Sequence, residues 1–239
     1  MALVLFDLDN TLVDRTAAFG RAVPSLASRY GLDPVVAVPF VIEADGDGAR
    51  GWTTWMGETI ERFGVTTTVD EMRSWFLPVY LAGYTLEPDV ADGLRRLRDA
   101  GWRIGIVTNG PMSQADKVTT TGLDRLVDGW VVSDDIGARK PDRRIFAEAA
   151  ERCGESLDGA WMVGDSPPAD MAGAHYAGLR SVWLRRGRSW AEVVCAGRPD
   201  PWEVEMGLAS TWPTEPFEPD HQADSPVAAI EIVLVTNAG

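Results

Sequence analysis

Acidic residues in this chain stand where apolar runs end, and that placement is the first sign of chemistry. The run Leu3-Val4-Leu5-Phe6 gives way to Asp7-Leu8-Asp9-Asn10-Thr11-Leu12. Alternation continued along a strand turns Asp7 and Asp9 to the same side. Two like charges sharing one site are costly unless a cation or a proton relieves them, so a Mg²⁺ ion or a raised pKa on one carboxylate is expected. Either arrangement serves phosphoryl transfer. By itself an Asp-x-Asp pair is also an ordinary solvated turn or cap; its position directly after a buried run is what points to a site.

Three more segments follow the same pattern. Ile104-Gly105-Ile106-Val107-Thr108-Asn109-Gly110 ends in a hydroxyl, an amide and a flexible glycine. It reads equally as a strand with its turn or as a phosphate cradle, in which the Thr108 hydroxyl and the N–H groups from Asn109 onward hold oxygens. In Gly137-Ala138-Arg139-Lys140-Pro141-Asp142 a basic pair precedes a proline placed to open a helix at its first turn. Lys140 is either a solvated loop residue or, as one of only 22 cations, the point charge that a phosphate needs. Trp161-Met162-Val163-Gly164-Asp165-Ser166 is followed by Asp170 at the start of the next helix. Both aspartates suit helix caps, yet Asp165 again ends a strand. With Asp7 and the Asp9 carbonyl it offers the oxygen ligands that Mg²⁺ prefers.

Taken together, and in this order along residues 3 to about 187, the four segments closely resemble the haloacid dehalogenase superfamily. Its signature is Asp-x-Asp-x-Thr, a Ser or Thr at a strand end, a Lys, and Gly-Asp with a second Asp following. The resemblance implies a Mg²⁺-dependent phosphatase acting through an aspartyl phosphate. Asp7 is then the nucleophile and Asp9 the general acid/base. Thr108, Asn109 and Lys140 hold the phosphoryl group; Asp7, Asp9 and Asp165 hold the metal; Asp170 supports Lys140 or the metal shell.

These residues need a frame. Apolar runs at 3–6, 103–108, 130–132, 160–163 and 181–184 read as strands, and helical spacing fills 113–121, 142–153 and 169–177 between them. Such alternation implies right-handed crossovers and a doubly wound parallel α/β sheet, a Rossmann-like core, with ligands beyond the strand ends. Between the first two strands lie only helical patterns, over 16–30, 53–63 and 69–78, before a helix at 89–99. The expected organisation is a core of 1–14 and 87–239 with an inserted α-helical domain over 15–86, the type-1 cap of the resembled family, closing over the site. Residues 187–225 are proline-rich and aperiodic, so 187–216 is expected to be an irregular excursion, longer than the family's usual link, with a closing helix over 227–235.

Composition narrows the partners. Hydrophobic residues at 45% and charged residues at 24% give an ordinary folding balance. The net charge of −14 repels nucleic acid and anionic membrane, so neither is expected as a partner. Two cysteines, Cys153 and Cys195, exclude a disulfide framework or a Cys-rich zinc site and suit a reducing compartment. With no signal-length apolar start, the cytoplasm is the expected location. The expected ligand is a small phosphorylated substrate, and no oligomer contact is assigned.

A dehalogenase shares the resembled fold but has no use for an acid at Asp9 or for Mg²⁺. A catalytically silent binding protein would commonly have lost Asp7, Asp9, Lys140 or Asp165, and none is lost. A mutase has no positive sign in the cap. In the inserted block Trp52, Trp55 and Trp75 with Arg50 and Arg73 could stack on a base or clamp an anion, but cap core and solvated charge account for them as well.

Overall fold

The computed structural model describes residues 2–48, 50–195 and 217–236. Two compact units emerge, one of Met1–Val13 with Leu86–Gly239 and one of Asp14–Thr85. The first is built on a six-stranded sheet, all of whose pairings are parallel, in the order β3-β2-β1-β4-β5-β6. The strands are β1 Ala2–Phe6, β2 Trp102–Thr108, β3 Gly129–Val132, β4 Trp161–Gly164, β5 Arg180–Leu184 and β6 His221–Ala223.

The continuous apolar runs have their reason here. β1 lies between β2 and β4, with Phe6 beside Ile106 on one side and Val163 on the other. Covered on both faces, it buries Leu3 to Phe6 completely or nearly so. One covering layer packs Ile145, Phe146, Ala149 and Ala150 with Leu3, Leu5, Val107 and Met162. The chain builds one half of the sheet outward from β1, then returns to build the other half from β4. That reversal opens a crevice beyond the carboxyl ends of β1 and β4.

The second unit contains α1 Arg15–Arg29, α2 Pro34–Asp45, α3 Trp52–Phe63 and α4 Val69–Leu81. Its core is aromatic: Phe19 meets Trp55, Phe76 and Tyr80 edge-on at 5.6 to 6.0 Å. Trp55, singled out as a possible ligand contact, is fully buried. Trp52 packs on it and on Phe76, Trp75 meets Tyr30, Arg73 lies over Trp52, and Arg50 pairs with Glu58. α4 opens with a capping box between Thr68 and Glu71 and runs past Pro78, where the sequence suggested a stop.

The α/β unit continues with α5 Pro88–Asp99, α6 Ser113–Thr120, α7 Ser133–Ile136, α8 Arg143–Arg152, α9 Ala172–Ala177, α10 Trp190–Cys195 and α11 Pro226–Thr236. Several expectations need correction. α2 was not foreseen, because its residues are apolar on every side and it carries Pro34 and Pro39. The stretch after 187 is not wholly irregular: α10 falls inside it, and β6 pairs with β5 through Val182 and His221. The rest of the excursion, with Pro199, Pro201, Pro213 and Pro216, lies outside the described residues, as does the Cys195 side chain. Pro141 does not open α8, since Asp142 is its N-cap and accepts a hydrogen bond from the Arg144 N–H. Asp170 sits in a π-helical turn, Pro167–Met171, that precedes α9. Among the described residues no helix is long and apolar enough to cross a membrane.

Candidate active site

Every residue chosen from the sequence lies beyond the carboxyl ends of β1, β2 or β4 or on the loop before α8, and contacts link them into one network. Asp7 follows β1 directly, its N–H donating to the Val163 carbonyl of β4 at 2.9 Å. This main-chain bond fixes the carboxylate at the switch point of the sheet. Asp9 is not aimed by strand alternation, as the sequence suggested. The strand ends at Phe6, and a tight loop follows in which Asn10 takes a left-handed φ of 61° and the Asn10 N–H donates to the Val13 carbonyl.

Lys140 is the hub. It is 2% exposed, and its Nζ donates to Asp7 Oδ1 at 2.5 Å and to Asp170 Oδ1 at 2.7 Å. Asn109 grips the backbone of the same residue: its Oδ1 accepts from the Lys140 N–H at 2.8 Å and its Nδ2 donates to the Lys140 carbonyl at 3.1 Å. The Asn109 side chain therefore positions Lys140, and what Asn109 can offer a phosphate is its main chain. Burial pulls the Lys140 ammonium toward its neutral form, but Asp170 and Asp7 outweigh that and hold its pKa above the ordinary lysine value.

Asp170 needs a glycine to reach this place. A Cβ on Gly164 would fall 2.2 Å from Asp170 Oδ2, so the Gly-Asp pair at the end of β4 is a packing requirement as much as a turn. Asp170 Oδ2 also accepts from the Ser166 N–H at 2.9 Å. Asp165 is anchored through its main-chain carbonyl, which accepts from Trp183 Nε1 at 3.1 Å and from Arg188 at 2.6 Å. Its carboxylate lies 3.5 Å from Arg186.

Asp7, Asp165 and Asp170 can present oxygens that all lie within 4.8 Å of one another. Burial is the first cause that lifts the Asp7 carboxyl to about 7, with Asp170 and Asp9 adding to it against Lys140. Asp165 is likewise pushed well above the ordinary carboxylate range by burial, then by Asp7 and Asp170. The crowd lacks positive charge. A donor set of carboxylates without His or Cys fits a hard divalent cation. Both Asp170 oxygens already accept hydrogen bonds, which makes Asp7 and Asp165 the better donors and Asp170 their support.

The Asp9 carboxylate stands apart from this trio. Its Oδ2 accepts from Lys117 Nζ at 2.5 Å and from Gln114 Nε2 at 3.0 Å, and Gln114 Nε2 also reaches Thr108 Oγ1 at 2.9 Å. Neither Gln114 nor Lys117 was found from the sequence. Their signal was the spacing of three along α6, directly after the Thr108-Asn109-Gly110 turn, which puts both on one face of the helix.

Comparison with known proteins gives a consistent set of relatives. A family model for haloacid dehalogenase-like hydrolases matches residues 1–178. A phosphoglycolate phosphatase of Salmonella typhi is 30% identical over 82% of this chain and 86% of its own length. A glyceraldehyde 3-phosphate phosphatase of Methanopyrus kandleri is 39% identical, with the match spanning 46% of each chain. Among solved structures, a phosphatase from Thermococcus onnurineus superposes with a TM-score of 0.61 at 26% identity, covering 98% of both chains.

Proposed function

Because this chain belongs to the haloacid dehalogenase-like hydrolase family, we propose that it is a phosphatase that cleaves a small phosphomonoester through a phosphorylated Asp7. The observation that carries the reading is the setting of Asp7: buried at the end of the central strand, bonded to Lys140, and within reach of two further carboxylates. On this reading the Asp14–Thr85 unit corresponds to the inserted cap of the family.

The chemistry follows from charge. Phosphoryl transfer runs through a loose transition state with negative charge on the equatorial oxygens, so positioning and neutralisation do most of the work. Mg²⁺ held by Asp7, Asp9 and Asp165 would supply part of that neutralisation, and Lys140, Thr108 and main-chain N–H groups supply the rest. An Asp7 oxygen attacks phosphorus, the bond from phosphorus to the ester oxygen breaks, and Asp9 gives that oxygen its proton. Asp9 then takes a proton from water as the water oxygen attacks the same phosphorus. The Asp7–phosphorus bond breaks and inorganic phosphate leaves. A dehalogenase would have no leaving oxygen to protonate, and the elaborate anchoring of Asp9 supports the phosphatase instead.

Acid quench after brief exposure to a turned-over phosphomonoester should leave phosphate on the peptide that contains Asp7. Asp7→Asn should remove both the trapped phosphate and turnover, by on the order of 10⁴-fold or more. Substantial activity in that variant would end the covalent mechanism.

A further inference from the structure

We propose that Lys117 and Gln114 are positioning residues for the proton-transfer carboxylate, so that the face of α6 sets how well Asp9 protonates the leaving oxygen. The inference rests on the assignment of Asp9 given above and deepens it.

Lys117 is 5% exposed, and so is Gln114. A buried lysine carries a desolvation penalty and a large loss of rotamer freedom, and it is retained where its charge is paired. Here the partner is Asp9 Oδ2 at 2.5 Å, across 108 residues of sequence. Gln114 donates to the same oxygen at 3.0 Å, so two side chains one helical turn apart converge on one atom of Asp9. Two tethers on one oxygen fix the carboxylate plane and thereby the direction of its other oxygen.

Gln114 does more than hold Asp9. Its Nε2 also lies 2.9 Å from Thr108 Oγ1 and 3.2 Å from the Asn109 carbonyl. One amide thus joins the proposed acid to the strand end that would hold the phosphoryl oxygens, which sets the distance between proton donor and phosphorus. Gly110 makes room for it. With φ at 148°, a Cβ there would fall 2.9 Å from Gln114 Cγ and 3.1 Å from Nε2. The glycine after Thr108-Asn109 is therefore needed both for its backbone and for the side chain packed against it. Misplacing a proton donor by about 1 Å can cost on the order of 10²-fold in rate.

The readout must separate positioning from damage to the fold. In kcat/KM, which reports the steps through phosphoryl transfer to Asp7, loss of an aligned acid should hurt a poor leaving group and spare a good one. Lys117→Met and Gln114→Met, both close in volume to the originals, would be assayed with phenyl phosphate and p-nitrophenyl phosphate in Mg²⁺. Lys117→Met should lower kcat/KM on the order of 10²-fold for phenyl phosphate and several-fold less for p-nitrophenyl phosphate. Gln114→Met should shift the ratio in the same direction. Lys117→Arg, which keeps a donor and the charge, should restore part of the ratio. Circular dichroism tells a misfolded Lys117 variant from a misaligned one, and Gln114→Met carries the test if Lys117→Met fails to fold. Equal losses on both substrates, or none, would overturn the proposal. Asp9→Asn is the control that separates the two levels. If it fails to steepen the leaving-group dependence, the role of Asp9 is wrong; if it steepens the dependence and the α6 variants do not, only the role of Lys117 and Gln114 is wrong.

Discussion

The α/β unit and the helical unit bury opposite kinds of side chain. The helical unit hides Trp55, Phe76, Tyr80 and Phe19 in edge-on aromatic contacts, with Arg15 and Asp45 as a buried ion pair at 2.8 Å. Such burial stabilises by removing apolar area from water and by favourable ring geometry. The α/β unit, beside an equally apolar sheet, buries Asp7, Thr108, Gln114, Lys117, Lys140 and Asp170 around one crevice. Charges taken out of water recover their desolvation cost only in part through pairing, and well-packed apolar residues would often serve stability better. The contrast separates residues kept for cohesion from residues kept for reaction.

Metal removal should show the largest effect. EDTA is expected to abolish turnover and Mg²⁺ to restore it, while the aromatic core of the helical unit, read by near-UV circular dichroism, stays unchanged. Undiminished turnover in metal-free buffer would break the comparison at its centre.

Lys140→Met comes next. Removing one partner of a buried charge cluster leaves Asp7 and Asp170 uncompensated, a loss of about 3–5 kcal/mol in a urea titration. Saturating Mg²⁺ should recover part of it by supplying the missing positive charge. A variant as stable as the parent without metal would mean that the cluster is protonated or solvated instead.

Phe76→Ala should destabilise the chain by about 3–5 kcal/mol. Its cost should be independent of Mg²⁺, because the lost contacts are all within the helical unit. A Mg²⁺-dependent loss would show that the two kinds of burial are not separable.

Much of this was legible before any coordinates. The strands announced themselves because a doubly covered sheet demands unbroken apolar runs, and Asp7, Thr108 and Asp165 stand where those runs end. α2 was illegible for the opposite reason: Val35, Val36 and Ile42 are exposed on it, so no polar face marks its period. β6 has only three residues, and the segment around it is held by a side chain, with Asp220 Oδ2 accepting from the Ser181 N–H at 2.7 Å. No pattern of period two could have shown that. Within the site, the aspartates and Lys140 could be read from local spacing, but their partners could not. Gln114 and Lys117 look like the polar face of an ordinary surface helix until the fold brings Asp9 against them.

The pairing of β1 with both β2 and β4 has a consequence for how the protein is made. Val4, Leu5 and Phe6 must wait for Trp161, Met162 and Val163 before their second edge is closed. Between the two lies a whole helical unit with its own core. Contacts of such sequence separation form late, because the loop entropy is lost before the pairing compensates for it. During synthesis the segment that carries Asp7 leaves the ribosome early and stays half-enclosed until β4 emerges. The reactive centre is in this sense a product of the last assembly step, and a chain stalled before β4 would expose a strand edge and a carboxylate without its lysine.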